Sequence, residues 1–301
     1  MGRINYPDVI KHYPKPFQLF IKMIHNRIEL GRNCLIVVVG ATGSGKSFAS
    51  LRILMALFEY QFGRTPTVEE IIHHTIFKAK DLMEKINDPN LKKKEKWLWD
   101  EAGVDVGHKT HASIQNRVIG YLCQTFRNLQ QVVIFTVPTT SFIDASVRKM
   151  LHYQLETVRI VKKDKVCVIK TKHIQYNNAL DKIYYHPLYF NQKGGVMRIR
   201  VIGVKKPPQE YCDAYEKVKS MFTTDLNLQI QQKLQMIDEK DRKIKLTERQ
   251  EKIIELLDSG VTSTNEIAKR LDTKAPTISL NFGLLRRKGI DIDKYLGKSK
   301  N

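Results

Sequence analysis

Gly40-Ala41-Thr42-Gly43-Ser44-Gly45-Lys46-Ser47 has the spacing G-x-x-x-x-G-K-[ST], and that spacing has a chemical use. Backbone N–H groups can wrap a phosphate only where side chains do not hold it off, so Gly40, Gly43 and Gly45 have to be bare. Lys46 would then set its ammonium on the β- and γ-phosphates, and the Ser47 hydroxyl would take a place on Mg²⁺. A helix opening there adds the partial positive charge of its N-terminus. The expectation is a site for ATP with Mg²⁺, formed by Gly40, Ala41, Thr42, Gly43, Ser44, Gly45, Lys46, Ser47 and Phe48. A merely glycine-rich turn is the alternative.

A second group of residues fits the first. Lys96-Trp97-Leu98-Trp99-Asp100-Glu101 is a short apolar strand ending in two carboxylates. Hydrolysis of a triphosphate uses one acid in the Mg²⁺ shell and one to polarise the attacking water, so Asp100 is assigned to the metal and Glu101 to the base. Thr136 stands near the end of the apolar run Gln131 to Val137, before Pro138, where it could sense the γ-phosphate; a turn or capping role is the alternative. Arg127 precedes that run and Arg148 follows it. In ring-shaped ATPases an arginine from a neighbouring subunit stabilises charge on the transferred phosphoryl group, and either residue is a candidate, against an ordinary surface or capping arginine. His108 and His111 have no further His, Cys or carboxylate at ligand spacing, which speaks against a metal site there.

These groups need a scaffold, and the patterning names one. Leu35 to Val39 is continuously apolar, as in a parallel strand covered on both faces, and Phe48 to Tyr60 carries apolar residues at helical spacing. Phe17 to Leu30 reads as an earlier helix closed by Gly31, behind an irregular arm with Pro7, Pro14 and Pro16. Val68 to His74 reads as a short helix, Thr75 to Ala79 as a strand, Gly103 to Arg117 as a loop, Ile114 to Phe126 as a helix and Gln131 to Val137 as a buried strand. Leu155 to Val161 and Val166 to Ile174 alternate as a hairpin does. Lys182 to Phe190 and Val196 to Val204 flank Asn191-Gln192-Lys193-Gly194-Gly195 as a second pair, and Pro207-Pro208 ends the domain.

Residues 209–245 read as a polar helical linker and 246–301 as a small separate domain, which divides the chain into 1–208, 209–245 and 246–301. Thr247-Glu248-Arg249-Gln250 is a capping-box start, Ser263 opens a second helix and Pro276 begins a third. Two short helices joined by a tight turn form a helix-turn-helix. Its third helix is expected to offer Thr277, Ser279 and Asn281 to base edges and Arg286 and Arg287 to phosphates, with Lys274 at its mouth. A protein-binding three-helix unit is the alternative. Composition favours a polyanion: 51 Lys+Arg against 31 Asp+Glu give a net charge of +20, so DNA is expected before membrane, with a merely soluble basic surface as the alternative. Cys34, Cys123, Cys167 and Cys212 lie far apart with no C-x-x-C pair, as in a reduced cytoplasmic protein, and no stretch approaches the length of a membrane span.

The order of these parts resembles the HerA/FtsK superfamily of DNA-pumping ATPases, and within it the zonular occludens toxin-like branch that includes phage assembly ATPases. The residues that carry the likeness are Gly40 to Ser47, Trp97 to Glu101, and Arg127 with Val132 to Pro138, Ile143-Asp144 and Arg148. It covers roughly residues 30 to 205; the first two motifs are specific for ATPases generally, and only the third points at this branch. The resemblance implies a RecA-like α/β P-loop NTPase fold, with a mainly parallel sheet extended by β-hairpins, and a homo-oligomeric ring such as a hexamer. It also implies phosphate and Mg²⁺ binding at Lys46 and Ser47, hydrolysis by Asp100 and Glu101, and the arginine before the sensor strand at Arg127. Many members carry Gln where this chain has Thr136, and phage-assembly relatives often have a membrane span after the ATPase domain, which this chain lacks. Its last segment resembles winged-helix DNA-binding domains instead.

Two readings follow. The first is an ATP-driven DNA translocase or genome-packaging motor. The second is an ATP-switched DNA-binding regulator, or an AAA+ type helper of transposition or replication initiation, which would place a helical lid where residues 152–204 read as hairpins. A nucleotide kinase would explain the phosphate loop but not Asp100-Glu101 or the last domain.

Overall fold

A computed structural model of the chain describes residues 8–102, 129–192, 195–242 and 246–296. The expected loop from Gly103, the helix Ile114 to Phe126, and Arg127, His108, His111 and Cys123 lie outside the described residues. In chain order the first elements are α1 (Lys15–Glu29), β1 (Cys34–Val39), α2 (Lys46–Phe62), α3 (Val68–His73), β2 (Thr75–Ile76), α4 (Ala79–Ile86), β3 (Lys96–Trp99), β4 (Val132–Val137) and α5 (Ala145–Met150). Then come β5 (Tyr153–Val161), β6 (Val166–Asn177), β7 (Lys182–His186), β8 (Leu188–Gln192), β9 (Gly195–Ile199), β10 (Val201–Lys205) and α6 (Gln209–Arg242). The last are α7 (Glu248–Asp258), α8 (Thr264–Arg270), α9 (Ala275–Arg287) and α10 (Ile292–Tyr295). Two compact units divide the chain, Met1–Leu228 and Gln229–Asn301.

In the first unit β1 is buried at every position, and its alternation feeds two cores. Cys34, Ile36 and Val38 pack with the apolar stripes of α1 and α2 on one face. Leu35, Val37 and Val39 pack with Leu82 of α4 and Val147 of α5 on the other. Helices on both faces bury the strands twice over, which is why β1 and β4 are unbroken apolar runs rather than alternating ones. Five strands are parallel in the order β5-β1-β4-β3-β2. The first of the two expected hairpins is present as β5 and β6, but β5 also pairs in parallel with β1, so it belongs to the central sheet.

The second expected hairpin keeps only its inner part, β8 with β9, while its outer parts pair elsewhere. Pro187 follows His186, and a residue without an N–H ends β7 there. β7 pairs back onto β6, β8 pairs with β9 as a separate two-stranded sheet, and β10 returns to β6. The expected arm is packed from Asp8 onward: Ile10 and Tyr13 are buried, and Tyr13 Oη donates to Glu59 Oε2 at 2.6 Å.

The expected linker also behaves otherwise. Tyr211, Tyr215 and Phe222 on α6 are buried in the core of the first unit, Phe222 stacks on Phe77 at 5.3 Å, and Tyr211 Oη donates to Pro66 O at 2.5 Å. The second unit has its own core of Ile253, Leu257, Ile267, Ile278, Phe282, Leu285 and Ile292, with the capping box at Thr247 and Gln250. Among its described residues there are helices and no strand, so the wing implied by the likeness has no counterpart there.

Candidate nucleotide site

The loop after β1 shows why its glycines are needed. A Cβ at Gly40, where φ is +153°, would collide with Thr157 Oγ1 and lie 2.8 Å from Ser44 Oγ. At Gly45, the N-cap of α2 with φ of 87°, a Cβ would lie 3.2 Å from Ile160 Cδ1. Gly43 has open space around it and is constrained only by its φ of +75°. Thr157 on β5 braces the loop from the side: its Oγ1 is 2.7 Å from Ser44 Oγ and donates to Val39 O at 3.1 Å. Lys46 Nζ donates to Gly40 O at 2.7 Å and Ala41 O at 2.8 Å, which holds the ammonium across the loop. Burial lowers its pKa from the ordinary lysine value, and the nearby Asp100 charge works against that.

The acids arrive from the neighbouring strands. Register pairs Val38 of β1 with Thr136 of β4, and Phe135 with Trp99 of β3, so the carboxyl ends of these strands meet. Asp100 is fully buried and collects donors from three elements. Ser47 Oγ donates to Oδ1 at 3.0 Å, Thr136 Oγ1 to Oδ1 at 2.5 Å, and from α6 come Tyr215 Oη and, at 3.0 Å, Lys219 Nζ. Glu101 sits in the left-handed region at φ 54°, an uncommon conformation for a residue with a Cβ. Its N–H donates to Thr136 Oγ1 at 2.8 Å, and its Oε1 lies 2.6 Å from Lys219 Nζ. One threonine hydroxyl thus orients both acids.

Burial pushes Lys219 toward neutrality, but the Asp100 and Glu101 carboxylates outweigh it and hold the ammonium above its ordinary pKa. Burial, then the Asp100 charge, drives the Tyr215 phenol well above its usual range, so it remains a donor. The cleft between loop and acids has a volume of about 560 Å³ and is lined by Lys46, Ser47, Glu101, Thr136, Tyr215 and Lys219, among others.

These residues fit the group the motif implies. Hard oxygen ligands, a hydroxyl and a carboxylate within hydrogen-bond reach of each other, suit Mg²⁺, and a loop in which a Cβ is excluded suits a phosphate. Phe48 flanks the cleft, 5.9 Å from the Tyr215 ring and with Lys206 Nζ 4.9 Å above its own. Arg148 lies on α5, apart from the residues lining the cleft, and its buried Nε finds no hydrogen-bond partner among the described residues. No cluster of three metal-ligating side chains occurs among the described residues.

Thr157, Tyr215 and Lys219 are site residues that sequence reasoning missed. For the last two a signal existed: Tyr211, Tyr215, Lys219 and Phe222 recur at helical spacing on one face of a segment that otherwise reads as polar. In the second unit, Lys274, Ser279 and Arg287 are exposed and Thr277 is half-buried. Asn281 corrects an expectation: it is buried, and its Nδ2 donates to Thr277 O at 2.8 Å, so it cannot reach a base edge. Its period places it with Ile278, Phe282 and Leu285 rather than opposite them. Arg286 is paired, with Nη2 2.6 Å from Asp293 Oδ1.

A parallel sheet with the glycine loop at the end of β1, the acids at the end of β3 and one strand between them is a RecA-like P-loop NTPase fold. No protein-family model matches the sequence, and no curated protein does so. Among solved structures the chain is similar to the N-terminal domain of zonular occludens toxin from Neisseria meningitidis, at 13% identity and a TM-score of 0.31, over 52% of this chain and 95% of that one. It is also similar to a DNA polymerase III gamma subunit-related protein from Thermotoga maritima, at 9% identity and a TM-score of 0.33, over 48% of this chain and 47% of that one. The fold assignment rests on the strand order and the loop, not on these likenesses. No helix among the described residues is long and apolar enough to cross a membrane.

Proposed function

We propose that the chain is an ATP-hydrolysing DNA motor, used for DNA translocation or genome packaging, that works as a homo-oligomer. Hydrolysis is supported by one observation: Lys46 and Ser47 from the loop meet Glu101 and Thr136 in one cleft, and the buried Asp100 behind it is hydrogen-bonded to Ser47 and Thr136. Lys46 would hold the β- and γ-phosphates, and Ser47 with Asp100 would hold Mg²⁺, which draws charge from the phosphate oxygens when bound. Glu101, aimed by its N–H bond to Thr136, would take the proton of the attacking water.

Action on DNA is supported by the +20 charge and by the second unit, whose α9 exposes Ser279 and Arg287. The regulator reading loses support because residues 153–205 form β5 to β10 where a helical lid would stand. Arg127 or Arg148 of a neighbouring copy would complete the site. The test is ATPase activity with and without duplex DNA. Stimulation by DNA, lost in Glu101→Gln, is expected; hydrolysis unchanged in that variant, or indifferent to DNA, would overturn the proposal.

A further inference from the structure

The acid pair already has a cation of its own, and it comes from α6, the helix that follows the strands of the first unit. Lys219 Nζ lies 3.0 Å from Asp100 Oδ2 and 2.6 Å from Glu101 Oε1, bridging the residue assigned to the metal and the residue assigned to the base. Asp100 is fully buried, and a buried carboxylate needs a compensating charge. Mg²⁺ on Asp100 and the Lys219 ammonium neutralise the same carboxylate, so each weakens the need for the other. Lys219 is delivered by α6, one turn past Tyr215, which donates to the same Asp100 oxygen. The helix is seated by the Phe77 and Phe222 stack and by the Lys78 and Asp225 ion pair at 3.6 Å. It is also the stretch of chain that leads to the second unit.

We propose that Lys219 is a built-in counter-cation of the Asp100 and Glu101 pair, displaced when the Mg²⁺-nucleotide loads, so that loading is read by α6. This rests on the nucleotide reading of the cleft. The Lys219 contact and a metal-loaded Asp100 are alternatives. The α6 surface at Tyr215 and Lys219 is therefore held firmly before loading and loosened after it. A purely structural lysine would have no such link to the metal.

The experiment titrates Mn²⁺, a paramagnetic stand-in for Mg²⁺, into the full chain and reads free Mn²⁺ by electron paramagnetic resonance. Lys219→Met is expected to bind Mn²⁺ about tenfold tighter than wild type, the change that about 1.4 kcal/mol of lost competition produces. Lys219→Arg, which keeps the cation, is expected to stay near wild type. Equal or weaker Mn²⁺ binding by a folded Lys219→Met would overturn the proposal.

Because that variant leaves Asp100 short of a partner and could fail to fold, amide hydrogen exchange on the wild-type chain gives a second decision. Exchange at residues 211–222 should rise on saturation with Mg²⁺ and a non-hydrolysable ATP analogue. Binding of the analogue with unchanged exchange there would sink the counter-cation idea and leave the nucleotide site standing. No binding of the analogue at all would remove both.

Discussion

Replacing Thr136 by valine keeps the side chain's shape and removes one hydroxyl from the centre of the acid pair. That hydroxyl is buried, donates to Asp100 at 2.5 Å and accepts the Glu101 N–H at 2.8 Å. A hydrogen bond to a charged group contributes about 1.5–3 kcal/mol, and an N–H left without an acceptor costs about 1–3 kcal/mol. Asp100 keeps Ser47, Tyr215 and Lys219, so its charge is not orphaned, and Glu101 is partly open to water. The loss should therefore be about 3 kcal/mol, near the low end of the summed range of about 2.5–6 kcal/mol. For a domain of this size that lowers the melting temperature by about 6–12 °C, readable by far-ultraviolet circular dichroism. Glu101 also loses the bond that fixes its left-handed backbone, and misplacement of a catalytic base costs up to about a hundredfold in kcat. Phosphate release should show that drop in Thr136→Val and near-normal turnover in Thr136→Ser, which keeps the hydroxyl. A Thr136→Val protein that melts within about 1 °C of wild type and turns over equally fast would refute this account of the site.

Other consequences follow from the same geometry. Gly40→Ala must displace Thr157 or the loop, an overpacking cost of about 1–3 kcal/mol, and should weaken ATP binding by calorimetry about ten- to a hundredfold. Gly43→Ala, with open space around it, should cost only the backbone strain of about 1–2 kcal/mol, and equal losses in the two variants would contradict the argument. Burial holds His152 down to about 3 and His74 down to about 4, against about 6.5 in the unfolded chain. Below pH 6.5 the unfolded chain takes up protons that the folded one refuses, so this stability is complete above about 6.5 and is lost as pH falls through about 4 for His74 and about 3 for His152. Urea midpoints should fall over that window and fall less in His152→Gln; parallel curves would count against it. Arg287→Ala should make the salt dependence of DNA binding shallower by about one unit of slope in fluorescence anisotropy. Arg286→Ala should do less, because its guanidinium is engaged with Asp293, and the reverse order would assign the phosphate contact to Arg286.

What could be read in advance was what lies in one contiguous stretch. The loop from Gly40 to Ser47 and the strand ending in Asp100-Glu101 declare themselves because their chemistry depends on local spacing, and β1 and β4 because double burial writes an unbroken apolar run. Strand partnership depends on contacts far apart in the chain. Leu155 to Val161 showed itself as half of a hairpin, but nothing local says that its other edge pairs with β1 and delivers Thr157 to the loop. Lys182 to Phe190 looked like one strand because the turn around Gly194 was the stronger signal, yet Pro187 cuts it and sends the two pieces to different partners. The polarity of Asn281 points it outward, whereas the helical period puts it beside Ile278 and Phe282, and the period wins.

The largest departure concerns where the first unit ends. Pro207-Pro208 is a sound stopping signal for the strands, and the polar run after it resembles a tether. But a fully buried aspartate cannot be left to water, and of the groups that reach Asp100, Tyr215 and Lys219 lie beyond those prolines. Tyr211, Tyr215 and Phe222 on the same face give α6 a short apolar stripe that seats it, and the many polar residues around that stripe in the sequence hide it from a composition-based reading. The helix after the sheet is therefore part of the acid site by electrostatic necessity, and the first compact unit extends through the first half of α6, to the division at Leu228. A site whose buried carboxylate is satisfied from the segment leading to the second unit joins chemistry and chain direction in one helix, without any added element.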